Sequence, residues 1–158
     1  MSNIDMNSGS YKVSRNFDTR NNWVSFTLVS KYRYQVFGKQ STINACVEGF
    51  QHLEKLGFQF GKMGFGLTHV HLSVNIPKGY SVQDAEIMLK KFSAQNIFSR
   101  KPNFRKRYPR GSFWSGYEHH QSIGVDREIA EKYIVNQTQH HNVTIINDTQ
   151  RNLLTFYS

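Results

Sequence analysis

The chain has 158 residues, enough for one domain with its own core and too few for two comfortable ones. Twenty Lys and Arg against eleven Asp and Glu give a formal charge of +9 and a pI near 9.8, which favours a polyanionic partner, nucleic acid above all. Cys46 is the only cysteine, which excludes an internal disulfide and a cysteine-cluster zinc site and fits a reducing, cytoplasmic compartment; no apolar run is long enough for a signal peptide or a membrane span.

Residues 1–21, rich in Asn, Ser and Asp, read as a mobile arm. From Trp23 onward, Val24, Phe26 and Leu28 alternate with Ser25, Thr27 and Val29, which predicts a strand. Lys31, Tyr32, Arg33 and Tyr34 follow where that strand should end. Over 41–56, Ile43, Cys46, Val47, Phe50 and Leu53 recur at helical spacing, with Ser41 or Thr42 to cap the start and Gly57 the end. Phe58–Phe65 reads as a strand interrupted by glycines. Leu67 and Thr68 connect it to a further strand, His69–Ile76, which stops at Pro77.

Ser81 opens a second helix, continuing to about Phe98, with Val82, Ala85, Ile87, Met88, Leu89 and Phe92 on the buried side and Lys90 and Lys91 outside. A basic loop, 99–111, leads into an extended segment around 113–125. Asp126 suits the N-cap of a last helix running to about Gln139, and 143–146 suits a short strand within a C-terminal tail, 141–158. The order strand, helix, strand, strand, helix, strand is that of an α+β, ferredoxin-like (RRM-like) fold. It places an antiparallel sheet beneath helices on one face, adds a C-terminal helix, and forms one domain over 22–140. Such a sheet is expected to leave its other face open to a ligand.

Two segments carry candidate chemistry. Along His69–Ile76 the alternation is complete: His69, His71, Ser73 and Asn75 share one face, and Val70, Leu72, Val74 and Ile76 the other. Imidazoles at i and i+2 on a strand project side by side, within reach of one divalent ion, although two neutral ligands need at least one more. On the last predicted helix, Tyr133 and Gln137 are four residues apart and share a face. A tyrosine hydroxyl can attack phosphorus, and a glutamine carbonyl can ligate a hard cation. Neither segment is specific alone.

Together they resemble the HUH-type tyrosine transposases of the IS200/IS605 insertion-sequence family, and the resemblance covers most of the chain. His69-Val70-His71-Leu72 is similar to the family's strand of two histidines around a hydrophobic residue. Trp23–Phe37, with Ser30-Lys31-Tyr32-Arg33-Tyr34, resembles its first strand and the basic-aromatic turn that follows. Ser112-Phe113-Trp114-Ser115-Gly116-Tyr117, leading to Ile123-Gly124, resembles the strand before the catalytic helix, and Tyr133-Ile134-Val135-Asn136-Gln137 its Tyr-x-x-x-Gln signature. Thr68 stands where family members usually have an Asp, and Glu118-His119-His120-Gln121 is more polar than its usual counterpart.

The resemblance implies a transposase in which Tyr133 attacks a phosphodiester of single-stranded DNA, leaving a 5′-phosphotyrosine link and a free 3′-hydroxyl. It further implies Mg²⁺ or Mn²⁺ held by His69, His71 and Gln137, hairpin-bearing transposon ends as substrate, and a homodimer with active sites shared between subunits. A prokaryotic, nucleoid-associated location in the cytoplasm follows from the same likeness. No residue near Tyr133 in sequence is a convincing proton acceptor, since Glu131 and Lys132 point to other helix faces. For DNA backbone contacts the basic positions are Lys31, Arg33, Arg100, Lys101, Arg105, Lys106, Arg107 and Arg110, with Phe104 and Tyr108 interleaved to stack on bases.

Two other readings compete. His71-Leu72-Ser73 and His120-Gln121-Ser122 are the kind of His-x-Ser pair that metal-free two-histidine phosphoesterases use as acid and base. Alternatively, the sheet face serves a non-catalytic, RRM-like nucleic-acid-binding module.

Overall fold

The computed structural model describes residues 21–124 and 144–146. The predicted helix over 126–139, and with it Tyr133 and Gln137, lies outside the described residues, as do most of the N-terminal arm and of the C-terminal tail. Five strands and two α-helices are described: β1 (Trp23–Ser30), α1 (Gln40–Gln51), β2 (Gln59–Phe65), β3 (His69–Asn75), α2 (Val82–Arg100), β4 (Trp114–Gly124) and β5 (Thr144–Ile146). Short 3-10 turns at Lys31–Arg33, Val36–Gly38, His52–Leu56 and Pro102–Arg107 join them.

The sheet order is β4-β1-β3-β2-β5, antiparallel throughout. β3 lies between β1 and β2, and β1 between β3 and β4, so each strand–helix–strand unit is split by a strand of the other. That is the expected ferredoxin-like topology. Thr144–Ile146 adds a fifth strand to it, in register with Met63–Phe65 of β2.

The hydrophobic pattern explains the layering. Val24, Phe26 and Leu28 of β1 and Val70, Leu72 and Val74 of β3 are each fully buried on the helix side. Cys46, Phe50 and Leu53 meet them from the first helical segment, and Ala85, Leu89 and Ile97 from α2. Burial of each large side chain contributes roughly 1.5–3 kcal/mol. The helices are tied to each other by polar contacts as well, Asn96 Nδ2 donating to the Ala45 carbonyl at 2.7 Å and Arg100 pairing with Glu48 at 2.6 Å.

Local signals hold at some boundaries and fail at others. Ser81 and Asp84 form a reciprocal capping box at the start of α2, and Gly57 takes the left-handed conformation (φ 98°) that ends the first helical segment. α1, however, starts at Gln40 rather than at a Ser41 or Thr42 cap. Buried Val36 and Phe37 anchor the preceding turn, so that the Lys39 carbonyl accepts the first helical bonds, from Thr42 and Ile43. Ile87 is 55 % exposed, because the buried stripe of α2 runs through Ala85, Leu89, Ser93 and Ile97, and Ile87 lies opposite it.

The expectation of an open sheet face is also corrected. Trp23, Ser25, Val29, His71 and Ser73, on the side away from the helices, are all buried. Trp23 and Val29 give β1 apolar side chains on this face too, whereas Thr27, His69 and Asn75 beside them are half-buried.

Candidate active site

The histidine pair is built by register. β1 lies antiparallel to β3, with Thr27 opposite His71 and Val29 opposite His69. The two imidazole rings stand 4.9 Å apart, edge to face at 74°. Each ring is met at Nδ1 by a hydroxyl: Thr27 Oγ1 lies 2.8 Å from His71, and Thr68 Oγ1 lies 3.3 Å from His69. In the tautomer that puts the proton on Nδ1, facing the hydroxyl, each Nε2 would carry the lone pair; both Nε2 atoms are buried.

The turn between β2 and β3 fixes His69. The Gly66 N–H donates to the His69 carbonyl at 2.9 Å, and the Thr68 and Leu67 carbonyls accept from Ser30 and Phe37 at 2.8 and 3.0 Å. The His69 ring lies over Gly66, where a Cβ would come within 2.8 Å of Nε2 and 3.0 Å of Nδ1. Only a residue without a side chain leaves that space. Thr27 and Gly66 are both positioning residues that sequence reasoning missed. Thr27 was visible as a polar position on β1 but needed the strand register to meet His71, and Gly66 carried no signal beyond being a glycine.

Across the sheet, one row reads His119, Thr27, His71, Gly64 and Ile145 from β4 to β5. His120 belongs to the next row, opposite Phe26, with its ring 6.1 Å from the Phe26 ring and its Nδ1 3.0 Å from Glu118. It therefore points to the helix side, away from His71. The two His-x-Ser triplets do not converge, and a two-histidine acid–base pair has no geometric basis here.

Beside the histidines, β1 runs into the basic-aromatic turn. Tyr32 (φ 61°) and Arg33 (φ 53°) are both left-handed, a conformation that costs a non-glycine residue about 1–2 kcal/mol. The turn is held by Ser30 Oγ donating to the Tyr34 carbonyl at 2.8 Å and by the Lys31 N–H donating to the Phe113 carbonyl at 2.7 Å. Tyr32 remains half exposed, with Lys31 Nζ 5.7 Å from the centre of its ring, and the Arg107 guanidinium stacks 4.4 Å above Tyr34.

The basic segment divides. Arg100 is paired with Glu48, and Lys101 Nζ donates to Ser41 Oγ at 2.7 Å, so both brace α2 against α1. Arg105 donates to the Tyr108 carbonyl at 2.7 Å, and it is exposed, as are Arg33, Lys106, Arg107 and Arg110. Phe104 is half-buried. Tyr108 is core and not a stacking surface: it is 1 % exposed, wedged among Tyr34, Phe98 and Phe113. Burial pushes its phenol up to about 12, and the Arg107 charge opposes that shift.

Comparison with known proteins fits this frame. The family model described as "Transposase IS200 like" matches residues 19–137, and the chain belongs to that family. The fold is similar to that of a transposase candidate from Deinococcus radiodurans R1, with a TM-score of 0.59 and 21 % identity over 80 % of this chain and 98 % of that one. It is also similar to a REP-associated tyrosine transposase bound to a REP hairpin, with a TM-score of 0.50 and 13 % identity over 82 % and 74 % of the two chains. No curated protein sequence matches the chain. Among the described residues no helix is long and apolar enough to cross a membrane.

Proposed function

We propose that the protein is an insertion-sequence transposase that cuts and rejoins single-stranded DNA through Tyr133. The observation that carries this reading is the pair His69 and His71. In a chain of the IS200-like transposase family, the two rings stand side by side on a central strand, each met at Nδ1 by a hydroxyl, next to a basic-aromatic turn.

In the proposed reaction the Tyr133 hydroxyl attacks the scissile phosphorus. The Tyr Oη–P bond forms and the P–O3′ bond breaks; the leaving 3′-oxygen takes up a proton and the phenol loses one. The phosphotyrosine keeps the energy of the broken ester, so a second 3′-hydroxyl can reverse the step on another end without ATP. His69, His71 and Gln137 would hold Mg²⁺ or Mn²⁺, nitrogen ligands favouring Mn²⁺. The two rings 4.9 Å apart on one strand support such an ion, although among the described residues no group of three His, Cys, Asp or Glu is found. The bound cation would orient the phosphate and offset its developing charge. Lys31, Arg33, Lys106, Arg107 and Arg110 would hold the flanking backbone, and exposed Tyr32 offers a ring to an unpaired base. A homodimer, with the Tyr133 helix of one subunit completing the histidine site of the other, belongs to the same proposal.

The test is covalent capture. Protein incubated with Mn²⁺ and single-stranded DNA carrying a hairpin should give a denaturation-resistant adduct, lost in Tyr133→Phe. Cleavage by Tyr133→Phe at the wild-type rate would sink the mechanism, and binding without any adduct would leave a non-catalytic module.

A further inference from the structure

The polar run Glu118-His119-His120-Gln121 lies on β4, the outer strand of the described sheet, and alternation sends its two imidazoles to opposite faces. His120 is on the helix side, where its Nδ1 is 3.0 Å from Glu118. His119 stands directly opposite Thr27 of β1, and Thr27 directly opposite His71 of β3. The three side chains therefore form one row on the face that carries the histidine pair. His119 is exposed and has no hydrogen-bond or ion-pair partner among the described residues.

Spacing decides what such an imidazole can do. Neighbouring strands are about 4.8 Å apart, so His119 and His71 are rooted about 9.6 Å from each other with Thr27 between them. Among the described residues no three His, Cys, Asp or Glu gather closely enough to hold one ion, so His119 is not a further ligand beside His69 and His71. The ground between them is accessible, because Thr27 is the only residue of β1 that is not buried. A phosphodiester held at His69 and His71 would lie over Thr27 and bring an ester oxygen within hydrogen-bond reach of His119.

We infer that His119 carries the proton at the 3′-oxygen of the scissile bond. The inference rests on the transposase reading and adds the proton carrier which that reading lacks on the 3′ side. In cutting, the Tyr133 Oη–P bond forms and the P–O3′ bond breaks; His119 gives its proton to O3′, and the phenol proton passes to water. In rejoining, an incoming 3′-hydroxyl gives its proton to His119 as the O3′–P bond forms, and the departing phenolate takes one from water. Imidazole suits both directions, because it gives and takes protons near neutral pH. The 3′-oxygen leaves in one step and attacks in the other, so one fixed group can serve both. A residue on the same sheet as His71 keeps its place relative to the phosphate while the tyrosine comes and goes.

The experiment replaces the scissile 3′-oxygen of a hairpin-bearing single strand by sulfur. A thiol ionises near pH ~8.5 and so leaves without a proton, which makes an acid at that position dispensable. With the full chain and Mn²⁺, His119→Ala is expected to form the Tyr133 adduct on ordinary DNA roughly 100–1,000-fold more slowly than wild type, and on the sulfur-substituted DNA within about threefold of it. Its Mn²⁺ binding, read by calorimetric titration, should stay within about twofold, whereas even a lost neighbour of a ligand costs about 10–100-fold. His120→Ala, on the other face, should cut both DNAs as wild type does. Equal slowing of His119→Ala on both DNAs, or its wild-type rate on ordinary DNA, overturns the inference. So does the same substrate-dependent slowing in His120→Ala, or a loss of Mn²⁺ binding in His119→Ala, which would make His119 a ligand. Wild-type protein that forms no adduct with either DNA overturns the transposase reading itself.

Discussion

Gly66→Ala separates the geometry of the histidine site from the stability of the fold. The added Cβ would stand 2.8 Å from His69 Nε2 and 3.0 Å from Nδ1. The nearest ring atom, Cε1, would be closer still; an ordinary carbon contact needs about 3.5 Å, so the ring must retreat by about 1 Å or rotate. Metal–nitrogen bonds tolerate roughly 0.2 Å, and displaced or misoriented ligands cost about 10–100-fold in affinity, or roughly 1.4–2.7 kcal/mol. The backbone itself should accept alanine, because Gly66 is not among the glycines with positive φ. Reduced freedom of the unfolded chain would even add about 0.4–1 kcal/mol, which the strain on one movable ring offsets. Expected, then, is a denaturation midpoint within about 1 kcal/mol of wild type and Mn²⁺ binding weakened at least tenfold, read by calorimetric titration and by urea melts of the metal-free protein. Wild-type Mn²⁺ affinity in the variant would refute the positioning argument. Failure of the wild type to bind Mn²⁺ would refute the metal site instead.

Two further perturbations test neighbouring parts of the structure. Thr27→Val keeps shape and strand preference but removes the hydroxyl 2.8 Å from His71 Nδ1; it should weaken Mn²⁺ binding about tenfold and shift the His71 ring nitrogen resonances, with Thr27→Ser restoring both, and unchanged resonances in the valine variant would deny the contact. Tyr108→Phe removes a buried hydroxyl that has no partner among the described residues, so at neutral pH it should be as stable as wild type or up to about 1 kcal/mol more so. The phenol is raised in the folded state to about 12. Its contribution to stability is therefore complete below pH ~10, the unfolded value, and disappears as pH rises through the folded one. Wild type should lose roughly 2–3 kcal/mol relative to Tyr108→Phe between those limits, and parallel urea-melt profiles from pH 9 to 12 would contradict this.

What was legible in the sequence follows from the range of the interactions involved. Period-two alternation put His69 and His71 on one face of a strand, and the order of elements led to the split βαβ sheet, because both depend on neighbouring residues and on connection rules. Ser81 and Gly57 marked helix ends through local capping chemistry. Thr27, Gly66 and Tyr108 could not be read in the same way. Thr27 reaches His71 across 44 positions of sequence, and only register connects them. Tyr108 sits in a segment whose composition looks solvated, yet Tyr32, Tyr34, Phe98 and Phe113 close over it. Ile87 fitted an apolar pattern and turned outward, since a four-residue stripe was enough to bury α2.

The location of the histidine pair also bears on how a two-part site can work. β3 is interior to the sheet, paired on both sides, and its turn is fastened by Ser30 and Phe37. His69 and His71 are thus mounted on a strand paired along both edges, with Thr27, Thr68 and Gly66 limiting the rings themselves. A phosphoryl-transfer site depends mainly on positioning, and sub-ångström errors are costly. A nucleophile that must approach, become covalently loaded and then release its strand has the opposite requirement. Placing Tyr133 on a separate segment, in this proposal contributed by a second subunit, lets that part move while the groups that hold the phosphate stay fixed. The unequal demands on the two halves give a physical reason for the chain to keep its histidines and its tyrosine more than sixty residues apart.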